Sequence, residues 1–164
     1  MPANPAAAQF LETSRGLSIH YTDHPATGAE SGTLVFIHGS GPGASGWSNF
    51  KHNISAFQVA GYRCVVYDQW GYGKTDKPTD TDHTLDFFVE GLTELLDGLG
   101  LQTVTLVGNS LGGAVALGMA LTQPQRVNQL ILMAPGGIES REAYFAMEGI
   151  QTMVKHPMGS PEFT

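Results

Sequence analysis

Four short segments constrain this chain more than anything else in it: TLVFI (33–37), YRCVVY (62–67), TVTLV (103–107) and QLILM (129–133). Each is apolar at neighbouring positions rather than at alternate ones. A half-exposed strand alternates wet and dry faces, so strands apolar on both faces belong to a sheet covered on both sides, the setting of parallel strands. Stretches of helical period lie between them. Residues 46–60 form one, and a clearer one carries Leu85, Phe88, Val89, Leu92, Leu95, Leu96 and Leu99 on one face. A third, AVALGMALTQ (114–123), stops before Pro124. Strand and helix in alternation predict an α/β fold, a mostly parallel sheet with helices on both faces.

Ahead of that core, QFLET and LSIHYT flank the turn signal SRG and read as a β-hairpin. After Met133 the alternation stops. APGG (134–137) is a turn, and ESREAYFAMEGIQTMVK (139–155) reads as one amphipathic helix with Tyr144, Met147, Ile150 and Val154 on one side, ending at His156 and Pro157.

Charge narrows the partners. Fifteen acidic residues against eight basic ones give a net charge of −7, and no Lys/Arg cluster supplies an electrostatic footprint for nucleic acid or anionic membrane. A small molecule or a protein is the expected partner. The first twelve residues, MPANPAAAQFLE, lack a basic region followed by an apolar run, and no later stretch has the apolar length of a membrane span. The cytoplasm is the expected location. The single cysteine, Cys64, sits inside YRCVVY and is expected to be a buried small hydrophobe.

Chemistry enters at GNSLGG (108–113), which follows TVTLV and precedes a helix. A serine presented on a tight strand-to-helix turn needs glycines beside it, because side chains there collide with the strand and the helix; the turn aims the helix N-terminus at the hydroxyl. Strand and helix are both in place, so Ser110 is the candidate catalytic residue. Charge developing on a carbonyl oxygen must be met by positioned N–H donors. One is expected from Leu111, next after the serine. The other is expected from Ser40 or Gly41, in the glycine-rich loop HGSGPGASGWSN (38–49) that follows TLVFI. That loop lacks both the G-K-[ST] ending of a phosphate loop and the dinucleotide spacing, so nucleotide binding is disfavoured. Asp68, in DQWGYGKTD (68–76), is expected to tie its own loop together through backbone N–H groups rather than to act in catalysis.

HGSGPGASGW, DQWGYGKTD and GNSLGGAVAL, in that order and at these spacings, resemble the α/β-hydrolase superfamily. Trp47-Ser48-Asn49 and MAPGGI (133–138) look more narrowly like the meta-cleavage product hydrolases, which hydrolyse a carbon–carbon bond in dienoates from ring cleavage of aromatic or steroid catechols. That resemblance implies Ser110 as the active-site serine, Leu111 with Ser40 and Gly41 as oxyanion donors, and Asn49 and Asn109 as polar substrate contacts. Taken alone, each asparagine would more often be a turn residue. It also implies that residues 1–135 are the N-terminal part of the core and 136–164 the start of a helical lid. Neither cofactor nor metal is needed by such chemistry, and no ligand cluster suggests one. A full-length protein of this kind could form homo-oligomers.

The superfamily order is serine, acid, histidine, the last two each following a further strand. Downstream of Ser110 stand Glu139, Glu142, Glu148, Glu162 and one histidine, His156, none of them after a strand. His156 is expected to be a surface residue near a helix end, and His38 a loop-stiffening residue rather than a base. The chain is therefore expected to be the N-terminal portion of a longer hydrolase, inactive alone, with QLILM at an open sheet edge. Rival expectations are a carboxylesterase or lipase of the same fold, or a non-catalytic α/β binding protein.

Overall fold

A computed structural model describes residues 6–155. The hairpin forms from β1 (Gln9–Glu12) and β2 (Ser18–His24), and the four apolar segments become β3 (Gly32–Ile37), β4 (Tyr62–Tyr67), β5 (Val104–Asn109) and β6 (Val127–Met133). They join in one six-stranded sheet of order β1-β2-β4-β3-β5-β6. β2 runs antiparallel to β1 and β4, while β4, β3, β5 and β6 are parallel.

The two-sided apolarity of the strands has the expected cause. In β3, Val35 and Ile37 enter one core, and Leu34 and Phe36 enter a second core on the opposite face. The first core lies under α3 (Leu85–Gly98) and α4 (Leu111–Thr122). The second holds Phe50 and Ile54, from α1 (Gly46–Phe50) and α2 (Ile54–Val59), with Cys64 and Val66 of β4. Cys64 is fully buried, and burial pushes its thiol up to about 12, which leaves it inert as a nucleophile.

Three helical expectations are corrected. Residues 46–60 hold two helices rather than one, because the Asn53 N–H turns back to the Phe50 carbonyl at 2.8 Å and interrupts the ladder. In α3, capped by Thr84, the core face includes Phe87, while Leu85 in the first turn is 43% exposed. Phe87 is held there by the ring of Trp70, at 4.9 Å between centroids. The segment after β6 is also two helices, α5 (Arg141–Ala146) and α6 (Glu148–Lys155), since Met147 takes an extended backbone (φ −66°, ψ 130°). Met147 therefore leaves the proposed apolar face and is exposed, while Tyr144 and Ile150 are half-buried. The side chain of Val154, and His156 and Pro157 entirely, lie outside the described residues.

β6 pairs with β5 alone among the described strands, and Ile131 and Met133 are 40% and 39% exposed. No helix among the described residues is long and apolar enough to cross a membrane.

Candidate active site

The parallel strands end together on one side of the sheet, and that side gathers most of the residues singled out by the sequence. β5 delivers Asn109 and Ser110; β3 delivers His38 and the glycine loop; β4 delivers Asp68. Ligand sites of open α/β sheets form at these C-terminal ends.

Ser110 stands between β5 and α4 with φ 53° and ψ −113°, a conformation that non-glycine residues avoid. Strain of this sort costs about 1–3 kcal/mol and persists only where surroundings enforce it. The enforcement is visible. The Ser110 N–H donates to the Met133 carbonyl at 3.0 Å, and its own carbonyl accepts from Gly113, Ala114 and Gly136 at 2.9, 3.2 and 3.0 Å. Two of these partners, Met133 and Gly136, come from the end of β6 and the turn beyond it. The glycines of the motif are required by contact. A Cβ on Gly108 would lie 2.4 Å from the Gly112 carbonyl oxygen, and one on Gly112 would lie 2.0 Å from that of Ile37. The Ser110 hydroxyl caps nothing in α4, which leaves it available for chemistry.

The glycine loop passes directly over this turn: a Cβ on Gly39 would meet the Ser110 Cβ at 3.3 Å. The Gly39 N–H is already taken by Asn49 Oδ1 at 3.1 Å. The next two N–H groups, on Ser40 and Gly41, have no hydrogen-bond partner among the described residues. Leu111 opens α4, where the first N–H groups have no intrahelical acceptor.

Asn49 and Asn109 meet. Asn109 Nδ2 donates to Asn49 Oδ1 at 2.9 Å, so one oxygen joins α1, the glycine loop and the end of β5. Neither asparagine takes left-handed backbone: Asn49 lies in α1 and Asn109 ends β5.

His38 is fully buried with both ring nitrogens engaged. Nδ1 donates to the Gly39 carbonyl at 2.7 Å, and Nε2 accepts the Gln69 N–H at 3.0 Å. Burial holds its pKa below the usual histidine range, so the ring is neutral and structural. Asp68 is also buried and structural. Its Oδ1 accepts from Gly46 N–H at 2.8 Å, and its Oδ2 from Lys74 N–H and His20 Nδ1, both at 2.9 Å. Among the described residues, no histidine or carboxylate hydrogen-bonds the Ser110 side chain.

Three features escaped the sequence reading: the role of Gly39, the His20–Asp68 pair, and the clasp on Ser110 from residues 133–136. For the last a signal existed, since MAPGGI places a glycine turn right after β6. The other two depend on partners remote in sequence.

A mostly parallel sheet that delivers a strained serine between a strand and a helix is the architecture of the α/β hydrolases. Comparison with known proteins agrees. Residues 32–155 match the family described as alpha/beta hydrolase fold, and the chain belongs to that family. It is 45% identical over 144 residues to a 2-hydroxy-6-oxononadienedioate/2-hydroxy-6-oxononatrienedioate hydrolase of Paraburkholderia phymatum, covering 87% of this chain and 49% of that one. It is 40% identical to a 2-hydroxy-6-oxo-6-phenylhexa-2,4-dienoate hydrolase of Comamonas testosteroni, covering 84% and 47%. A solved meta-cleavage product hydrolase from Pseudomonas fluorescens IP01 superposes with a TM-score of 0.71 at 31% identity, covering 79% of this chain and 45% of that one. The chain thus spans about half the length of the curated relatives it matches.

Proposed function

We propose that this chain carries the serine and the oxyanion donors of a hydrolase that cleaves a carbon–carbon bond in a 2-hydroxy-6-oxo-dienoate. The single observation behind the reaction class is the strained backbone of Ser110 (φ 53°), held next to a loop with two unpaired N–H groups. The substrate class rests on the relatives' names. In this reading Leu111 and Ser40 or Gly41 donate to the developing oxyanion. Asn109 and Asn49 border the dienoate, Asn49 through the amide group that is left once its oxygen is engaged. A histidine supported by an acid assists conversion of the dienol to the ketone; the serine or a water it orients then attacks the carbonyl.

The acid and the histidine are supplied by polypeptide corresponding to the other half of the relatives' length. With no base on Ser110 among the described residues, the 164-residue chain alone is inactive in this reading. Soluble catabolic enzyme chemistry on a small molecule, in the cytoplasm, completes the proposal.

The test is a fusion of residues 1–155 to the C-terminal half of the Paraburkholderia phymatum relative. Bleaching of a coloured 2-hydroxy-6-oxo-dienoate should appear in the fusion, vanish with Ser110→Ala, and be absent from the chain alone. Faster cleavage of p-nitrophenyl acetate than of the dienoate, compared as kcat/KM, would favour an ester hydrolase instead. No turnover of either in a folded fusion would favour a binding protein.

A further inference from the structure

Two non-glycine residues among the described ones take a positive φ: Ser110 at 53° and Ala134 at 41°. The second lies in MAPGG (133–137), directly after β6, and no step of the proposed reaction uses it. Ala134 is poorly suited to that backbone. It carries a Cβ, and the proline that follows it favours an extended φ of about −120°. Such a conformation persists only where surroundings enforce it.

The surroundings lead to Ser110. Met133, just before Ala134, accepts the Ser110 N–H at 3.0 Å, and Gly136, two residues after it, donates to the Ser110 carbonyl at 3.0 Å. The amide and carbonyl of one residue lie only a few ångströms apart, whereas three extended residues span about 10 Å. The segment 133–136 must therefore fold back to reach both, and Ala134 carries the unusual backbone within it. The turn is seated on the start of α4. A Cβ on Gly113, the last glycine of GNSLGG, would lie 2.6 Å from Pro135 Cβ, and one on Gly137 would lie 3.7 Å from Ala114 Cβ.

We propose that Ala134 is a positioning residue for Ser110 and for the N–H of Leu111. The Ser110 N–H belongs to the peptide plane before the serine and its carbonyl to the plane after it, so one turn grips both. In a trans peptide C=O and N–H point in opposite directions. Holding the Ser110 carbonyl therefore aims the Leu111 N–H, the proposed oxyanion donor. Gly113 and Ala114 hold the same carbonyl from inside α4, and Gly136 ties it to the end of β6. When Ala134 leaves its positive φ, the turn releases Met133 or Gly136, and the serine and its donor lose their common aim. The role in turnover rests on the hydrolase reading; the hold on the serine backbone does not.

Two variants differ in what they ask of this backbone. Ala134 is exposed, so Ala134→Val adds its side chain toward solvent while disfavouring a positive φ, and Ala134→Gly favours it. In the full chain, hydrogen exchange at the Ser110 and Gly136 amides should be about tenfold faster in Ala134→Val than in Ala134→Gly, with the β5 amides of Leu106 and Val107 alike in both. In the fusion, kcat should be about tenfold lower in Ala134→Val than in Ala134→Gly at equal KM, the mark of an interaction made only in the transition state. Ala134→Leu, unbranched at Cβ, replaces valine if that variant is unfolded. Equal exchange at Ser110 and Gly136 in the two variants would overturn the proposal. So would acceleration that extends equally to Leu106 and Val107, the sign of a turn that only supports the fold, or a change in KM with kcat unaltered. A folded fusion that turns over no substrate counts against the hydrolase reading, and the exchange ratio alone then decides the hold on Ser110.

Discussion

Asn49 and Asn109, sixty positions apart, share one hydrogen bond of 2.9 Å, and the oxygen that accepts it also holds the N–H of Gly39. One side-chain atom thus sets the distance between the glycine loop and the serine turn. Asn49→Ala should expose the Gly39 amide to rapid hydrogen exchange and cost about 1–2 kcal/mol in urea unfolding. Asn49→Asp, which keeps an acceptor, should retain Gly39 protection. Unchanged exchange at Gly39 in the alanine variant would show that the loop is held by other means.

The strain at Ser110 makes a second expectation. At φ 53° a glycine is comfortable and an alanine is not. Ser110→Gly should therefore be more stable than Ser110→Ala by about 1 kcal/mol, in spite of glycine's freer unfolded chain. Thermal melting of the two variants decides it. The reverse order would mean that the backbone at this position relaxes.

Gly112 tolerates no side chain. With a Cβ 2.0 Å from the Ile37 carbonyl oxygen and 2.7 Å from that of His38, Gly112→Ala must push α4 away from β3. A loss of about 3 kcal/mol in urea denaturation is expected, at the upper end for overpacking. Gly149→Ala, where nothing lies within 4 Å of the added atom, is the control.

Acid should weaken the fold through two histidines. Burial lowers the pKa of both His38 and His24 from the ordinary value near 6.5. In the unfolded chain each takes up a proton as pH falls through about 6.5; in the folded chain uptake waits for a lower pH. The unfolded state then binds more protons, so stability holds above pH 6.5 and declines below it, by at most about 1.4 kcal/mol per pH unit for each ring. His38→Gln should shallow that decline while lowering stability at neutral pH. Urea midpoints between pH 5 and 8 measure both, and a flat profile in the parent chain would refute the expectation.

Much of this molecule was legible beforehand, for reasons that are local. Leu34 and Val35 point to opposite cores because neighbouring strand residues must, and a run apolar at both could only be a covered strand. Gly108, Ser110 and Gly112 are legible because steric need is written into the spacing. What stayed hidden is non-local. The His20–Asp68 pair joins residues 48 apart whose types are unremarkable singly. Phe87 packs in the core against Trp70 and His83, partners outside its own helix. The break at Met147 was masked by periodicity, since two short helices in succession preserve much of the apolar spacing of one long helix.

The clasp on Ser110 also makes the serine turn depend on chain far from it in sequence. The serine's N–H is satisfied by Met133 and its carbonyl in part by Gly136, more than twenty residues later in the chain. Its unfavourable backbone is therefore held in part by β6 lying beside β5, and not by the strand-turn-helix segment alone. A segment lacking residues 133–136 would keep the strand and the helix around Ser110 but lose two of the hydrogen bonds that hold its backbone.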